Sequence, residues 1–315
     1  MKNFERILVI LDPKHEKHIE IDKAIEIASR SRASVDVVIF QHSSELPRLK
    51  TSGQIDELKQ TIETALSERV VEVLNQLKTD HINVSVRVEW CEHMAVTAID
   101  LVKKYHYDLL VKTPNRVSPL GRLVSRPTDW NILRTCPCSV WIVKPENESR
   151  NGILAAVDLD DDDIESHNAK NNSMTVRVVE QANYLSKLFD QKLEIINAFP
   201  ALPVAAHVQF VSVFENDYLQ QVERERRRSL ENLLSSMGIT EQNCHVFAGE
   251  ASQVIVNYTE SNQCSLLVLG TNARDGLSGL LTGNTAESII SQVECDILVV
   301  KSADFTAPSL AEFVN

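Results

Sequence analysis

Asp108-Leu109-Leu110-Val111-Lys112 and Ser139-Val140-Trp141-Ile142-Val143-Lys144 close the first half of this chain. They return 157 positions on (265 minus 108, and 296 minus 139) as Ser265-Leu266-Leu267-Val268-Leu269 and Asp296-Ile297-Leu298-Val299-Val300-Lys301. No gap separates the copies over this last third of each half, so one plan is written twice. The repeat reaches the front of each half. Ile7-Leu8-Val9-Ile10-Leu11-Asp12 and Ile153-Leu154-Ala155-Ala156-Val157-Asp158 are apolar runs ending in aspartate, 146 positions apart (158 minus 12). The extra residues of the second copy therefore lie between these anchors, mostly in Asp160-Asp161-Asp162-Asp163 and the Asn-rich segment after it. The join falls in the polar, turn-forming linker Pro145-Glu146-Asn147-Glu148-Ser149-Arg150-Asn151-Gly152. Two domains follow, 1–146 and 151–303, with a tail at 304–315.

Within each half, short apolar runs alternate with longer segments of 3.6 periodicity. The runs at 35–40, 107–111, 192–197, 265–269 and 296–300 are rich in Val, Ile and Leu and read as parallel strands covered on both sides. Ile55, Leu58, Ile62, Ala65, Leu66, Val70, Val73, Leu74 and Leu77 form the stripe of a long amphipathic helix. Leu219, Val222, Leu230, Leu233, Leu234 and Met237 repeat it in the second copy, ending at Gly238 as a C-cap. The order β-α-β-α-β-α-β-α-β predicts an α/β protein of two tandem flavodoxin- or Rossmann-like domains. Each is a five-stranded parallel sheet with right-handed crossovers and helices on both faces. Ligands of such sheets lie outside the C-terminal strand ends where strand order reverses, which directs attention to the loops after strands one and four.

The chain has 315 residues, enough for two domains of about 150 that bury full cores without metals or disulfides. Its 44 acidic against 32 basic residues leave a net charge of −12, unsuited to binding nucleic acid through phosphates. The basic run Arg224-Glu225-Arg226-Arg227-Arg228 reads as the solvated face of a helix. The first residues contain no apolar signal segment, and no run approaches a membrane-spanning length, so a cytoplasmic protein without membrane contact is expected. The six cysteines form no C-x-x-C pair, and Cys136-Pro137-Cys138 is too tight for a zinc knuckle, so reduced, partly buried thiols are expected.

Asp12 and Asp158 end the first strand of each half, placed to accept a ribose hydroxyl or to cap the next helix. The loop after strand four of the second copy, Gly270-Thr271-Asn272-Ala273-Arg274-Asp275-Gly276-Leu277-Ser278-Gly279-Leu280-Leu281-Thr282-Gly283-Asn284-Thr285, holds four of the nine glycines. Glycines let backbone N–H groups turn toward an anion, and Gly283-Asn284-Thr285 opens a helix whose N-terminus favours negative charge. The same residues also fit an ordinary connection with Asn or Thr as helix cap. The apolar segment 198–214 either lines a pocket over the strand ends or packs against the rest of the protein. Enzyme motifs (G-x-S-x-G, H-E-x-x-H, a Walker loop) are absent. His15 and His18 share helical spacing but sit in the charged segment Pro13-Lys14-His15-Glu16-Lys17-His18, which reads as solvated surface.

The run from Leu267-Val268-Leu269-Gly270-Thr271 through Gly276-Leu277-Ser278 to Gly283-Asn284-Thr285-Ala286-Glu287, followed by Cys295-Asp296-Ile297-Leu298-Val299-Val300-Lys301, resembles the C-terminal signature of the universal stress protein family. Val9-Ile10-Leu11-Asp12 and Ala155-Ala156-Val157-Asp158 resemble its first strand, and with Arg126-Pro127-Thr128-Asp129-Trp130 they point to its tandem E-type branch. The resemblance covers nearly the whole chain twice. It implies a cytosolic stress-response binding or signalling protein, linked to general stress and DNA-damage resistance, with protein partners and no catalytic residues. It also implies ATP as a ligand in one subclass, held by a Gly-x-x-Gly-x9-Gly-Ser/Thr loop. On that loop Gly270 and Gly283 match, while Ala273 replaces a glycine and Asn284 replaces the hydroxyl, with Thr285 beside it. The expected ligand residues are therefore Asp158, Gly270, Ala273, Gly283, Asn284 and Thr285, and ATP binding is expected to be weak or absent. In the first copy Thr113, Arg116, Arg126 and Pro127 stand at the four motif positions, so no motif glycine survives. That half is expected to be structural, the partner in an intramolecular pseudo-dimer, with further homodimerisation left open. Two alternatives remain: a nucleotide-hydrolysing protein using the 270–285 loop, and a carrier of an apolar or acyl ligand beneath 198–214.

Overall fold

Runs of Val, Ile and Leu have no polar face to give to water, so they become central strands with helices on either side. A computed structural model describes residues 3–12, 17–42, 52–77, 79, 81–114, 127–145, 149–159, 174–201, 211–239, 243–271, 284–302 and 305. These contain ten strands and eight helices, and the chain divides into two compact units, Lys2–Pro145 and Glu146–Phe305.

The first unit runs β1 (Arg6–Leu11), α1 (Ile19–Ser31), β2 (Ser34–His42), α2 (Ser52–Asn75), β3 (Val84–Cys91), α3 (Met94–Tyr105), β4 (Leu109–Lys112), α4 (Pro127–Thr135) and β5 (Ser139–Ile142). Its strands are parallel and ordered β3-β2-β1-β4-β5. The second unit runs β6 (Ile153–Val157), α5 (Met174–Phe189), β7 (Leu193–Phe199), α6 (Val211–Ser236), β8 (Cys244–Ala248), α7 (Ala251–Ser261), β9 (Leu266–Thr271), α8 (Asn284–Gln292) and β10 (Asp296–Lys301). Its order is β8-β7-β6-β9-β10, again parallel. In each unit the chain builds outward from its first strand and then crosses to that strand's other side. The order reverses between β1 and β4, where Ile7 aligns with Leu109, and between β6 and β9, where Ile153 aligns with Leu266. Every residue of β4, β6 and β10 is buried, as two-sided coverage demands.

The repeat extends to backbone conformation. The residues after α1, α3, α5 and α7 include four non-glycines in the left-handed region: Arg32 (φ 63°), His106 (φ 55°), Asp190 (φ 54°) and Gln263 (φ 48°). They pair across the halves at 158 (190 minus 32) and 157 (263 minus 106) positions, each just past the same helix of its unit. Such a residue lets its N–H turn back on the last helical carbonyls, as Arg32 does to Ala28 O at 2.8 Å. Gly238 (φ 66°) does the same just past α6.

Several polar side chains tie the strands to one another. Asp36, at the start of β2, accepts from Ser85 on β3, from Tyr107 Oη at 2.5 Å and from Arg6 Nη2 on β1 at 3.3 Å. All six cysteines are buried. Among the described residues no helix is long and apolar enough to cross a membrane.

Candidate functional site

Parallel register brings together the strand ends at the switch point of the second unit. Ala156 on β6 aligns with Leu269 on β9, so Asp158 and Gly270 stand at the C-terminal ends of adjacent strands. Asp158 is exposed. Three successive carbonyls, starting at the last residue of β6, are each tied by a side chain from a different element. Asn197 Nδ2 of β7 donates to Val157 O at 2.9 Å, Thr175 Oγ1 of α5 donates to Asp158 O, and Arg226 Nη1 of α6 donates to Leu159 O at 3.2 Å. The Arg226 guanidinium carbon lies 5.7 Å from the centroid of the Phe199 ring at the end of β7, within cation–π range. Asn197 is fully buried and its Oδ1 has no hydrogen-bond partner. The strand end thus carries one exposed carboxylate, one cation and one open acceptor.

Asn284 and Thr285 are the first two residues of α8, so the helix starts where the sequence placed it. Ala273 and Gly283 lie outside the described residues, as do the side chains of Asn284 and Thr285 and the middle of the apolar segment, 202–210. The ends of that segment divide between elements: Phe199 closes β7, and Val211-Ser212-Val213-Phe214 opens α6.

Gly270 has a packing reason for its identity. A Cβ built there would overlap Met174 Cγ, sit 2.6 Å from Met174 Sδ and lie 3.0 Å from Val178 Cγ2. Contacts as short as those to Met174 do not occur between real atoms, so with Met174 in this rotamer position 270 has no room for a side chain.

The first unit fills the same place with polar chemistry. Thr113 stands where Gly270 does, and Glu20 stands in the first turn of α1 as Met174 does in α5. Thr113 Oγ1 donates to Glu20 Oε2 at 2.6 Å. Glu20 is fully buried, and the His18 Nδ1 beside it is 3.6 Å from Glu20 Oε1. Next to them Lys112, ending β4, pairs with Asp129 in the first turn of α4, both almost wholly buried. A helix N-terminus attracts negative charge, and in this unit the chain supplies that charge itself. Pro127 at the first helical position forfeits no bond, because that N–H has no partner inside the helix. Arg116 and Arg126 lie outside the described residues.

Two sequence expectations are corrected. His18 is buried, not solvated: its charged neighbours hid an inward turn that periodicity could not show. His15 lies outside the described residues. The basic run on α6 is only partly a solvated face. Arg226 reaches Leu159 O, and Arg227 Nη1 reaches Cys244 O at 3.1 Å. Aliphatic stems let long cationic side chains cross apolar surface and deliver a charged head elsewhere.

Five parallel strands in each unit, with a switch point in their order, define a tandem Rossmann-like α/β protein. The chain belongs to the universal stress protein family, a group of stress-response proteins, whose sequence pattern matches residues 3–144 and again 169–301. It is 25% identical to Universal stress protein E of Photorhabdus laumondii over 98% of both chains. It is 26% identical to Universal stress protein E of Escherichia coli K12, over 98% of this chain and 97% of that one. Among solved structures, a functionally unknown protein from Pseudomonas aeruginosa PAO1 superposes with a TM-score of 0.70 at 24% identity, covering 96% of this chain and 94% of that one. A universal stress protein from Archaeoglobus fulgidus gives 0.64 at 16% identity, covering 95% and 97%. These two likenesses establish the fold.

Proposed function

We propose that this chain is a non-catalytic stress-response binding protein whose second unit, 151–303, holds any small-molecule ligand. The first unit, 1–146, is structural in this reading. ATP binds weakly or not at all, and the protein acts through protein partners in the cytoplasm. One observation carries the reading: the two switch points are furnished differently. Thr113, Glu20 and the Lys112–Asp129 pair occupy that of the first unit, while Asp158, Asn197 and Arg226 line that of the second.

Weak ATP binding follows from the loop at 270–285. Such a loop holds a triphosphate by wrapping N–H donors around it. Ala273 sets a methyl where backbone must approach, and Asn284 replaces a hydroxyl donor. Losing two contacts to a charged acceptor, at roughly 1.5 kcal/mol each, weakens binding by about a hundredfold. The chain's net charge of −12 adds no attraction for an anion.

Equilibrium titration of the full chain with labelled ATP, with and without Mg²⁺, tests this. Binding is expected to be weak, and Ala273→Gly with Asn284→Ser is expected to tighten it by about a hundredfold, the roughly 3 kcal/mol that two such contacts supply. Protein purified without added nucleotide yet fully occupied by ATP, its phosphates on the 270–285 loop, would sink the reading.

A further inference from the structure

Away from both crevices, the turn between α4 and β5 brings two thiols together. Cys136 follows the last residue of α4, Cys138 precedes the first of β5, and the chain bends at Pro137 and Cys138. Proline fixes its own φ, so the bend keeps the two sulfurs on one side. Cys136 Sγ and Cys138 Sγ are 3.5 Å apart. A disulfide bond is about 2.05 Å long, so closing it moves each sulfur by roughly 0.7 Å, within the reach of χ1 adjustment. The second unit has Val293 and Cys295 at the corresponding positions (136 plus 157, and 138 plus 157), so the pair is a property of the first unit alone.

We propose that Cys136 and Cys138 are a two-electron redox pair, oxidised by hydroperoxides to an intramolecular disulfide that staples the end of α4 to the start of β5. Cys138, 7% exposed against 0% for Cys136, meets the oxidant first. Its thiolate attacks the peroxide, an S–O bond forms, the O–O bond breaks, and the departing hydroxide takes a proton to become water. Cys136 sulfur then attacks the sulfenic sulfur, the S–S bond forms, the S–O bond breaks, and a second water leaves with the Cys136 proton. Two thiols and one hydrogen peroxide give one disulfide and two waters. The helix so fastened is the one whose first turn carries the buried Asp129.

The experiment is peroxide treatment of the full chain with glutathione in the same tube as a reference thiol. Unfolding, alkylation with iodoacetamide and trypsin follow. Cleavage after Arg134 and Arg150 (Pro145 protects the bond after Lys144) releases residues 135–150, which hold Cys136 and Cys138 and no other cysteine. That peptide is expected unalkylated and two hydrogens lighter, and to accept two alkyl groups after dithiothreitol. In Cys138→Ser, loss of the Cys136 thiol is expected to slow at least tenfold, because the deeper thiol loses its partner. Recovery of 135–150 with two alkyl groups once the glutathione is consumed overturns the proposal. So does either cysteine linked to a peptide carrying a different one, and that readout needs no variant to fold.

Discussion

Gly270 shows what one missing side chain does for the packing around it. With Met174 Sδ at 2.6 Å and Val178 Cγ2 at 3.0 Å from where a Cβ would stand, Gly270→Ala must displace α5 or force Met174 from its rotamer. Overpacking of this kind costs about 1–3 kcal/mol. Met174→Ala opens room for the added methyl, so the double variant is expected to be more stable than the two single losses add up to. The coupling should be on the order of 1 kcal/mol in urea unfolding. Additive losses would mean that the glycine answers to something other than α5. The same residue marks where sequence reading stopped. A glycine at a strand end beside a Gly-rich loop points to a bound anion, and nothing local announces a methionine from another element. His18 and Arg226 were hidden likewise, since a charged neighbourhood predicts solvent unless tertiary packing overrules it.

Among the elements, the strands were the most legible part, because runs such as 266–269 and 297–300 are buried on both faces and read as unbroken apolar stretches. Polar ties between strands leave no such trace. Asp36 gathers Arg6 of β1, Ser85 of β3 and Tyr107 just before β4. Burial works against its carboxylate, but the hydrogen bonds from Ser85 and Tyr107 and the Arg6 guanidinium outweigh it and hold the pKa below the ordinary 3.8. A carboxylate whose folded pKa is depressed contributes stability above its unfolded value, near 3.8, and loses it as pH falls through the folded value. Asp36→Asn is therefore expected to lower stability at pH 7, with the deficit shrinking as the pH falls below about 4. Thermal unfolding across pH 2.5–7 reads this (roughly the span over which carboxylates titrate). A deficit constant over that range would assign Asp36 no part in the acid sensitivity of this sheet.

At the scale of the whole molecule, one plan has been kept twice and furnished twice. The Lys112–Asp129 pair is the most testable furnishing of the first unit. Its ions are 3% and 1% exposed at the side chain, so removing one leaves the other buried without its counter-ion. Lys112→Met alone is expected to cost about 3–5 kcal/mol, whereas Lys112→Met with Asp129→Leu should recover most of it, since a buried pair gives little net stability. Equal losses in the single and double variants, measured by denaturant unfolding, would mean that the pair's own attraction matters. Identity at the crevices has diverged, yet Arg32 with Asp190 and His106 with Gln263 still turn left-handed at matched points, with no glycine to advertise it. Each such pair is a replicate experiment inside one polypeptide. The same substitution at both members meets the same solvent, temperature and chain length, so any difference in outcome isolates what the surroundings of a turn contribute, a comparison that ordinarily requires two proteins.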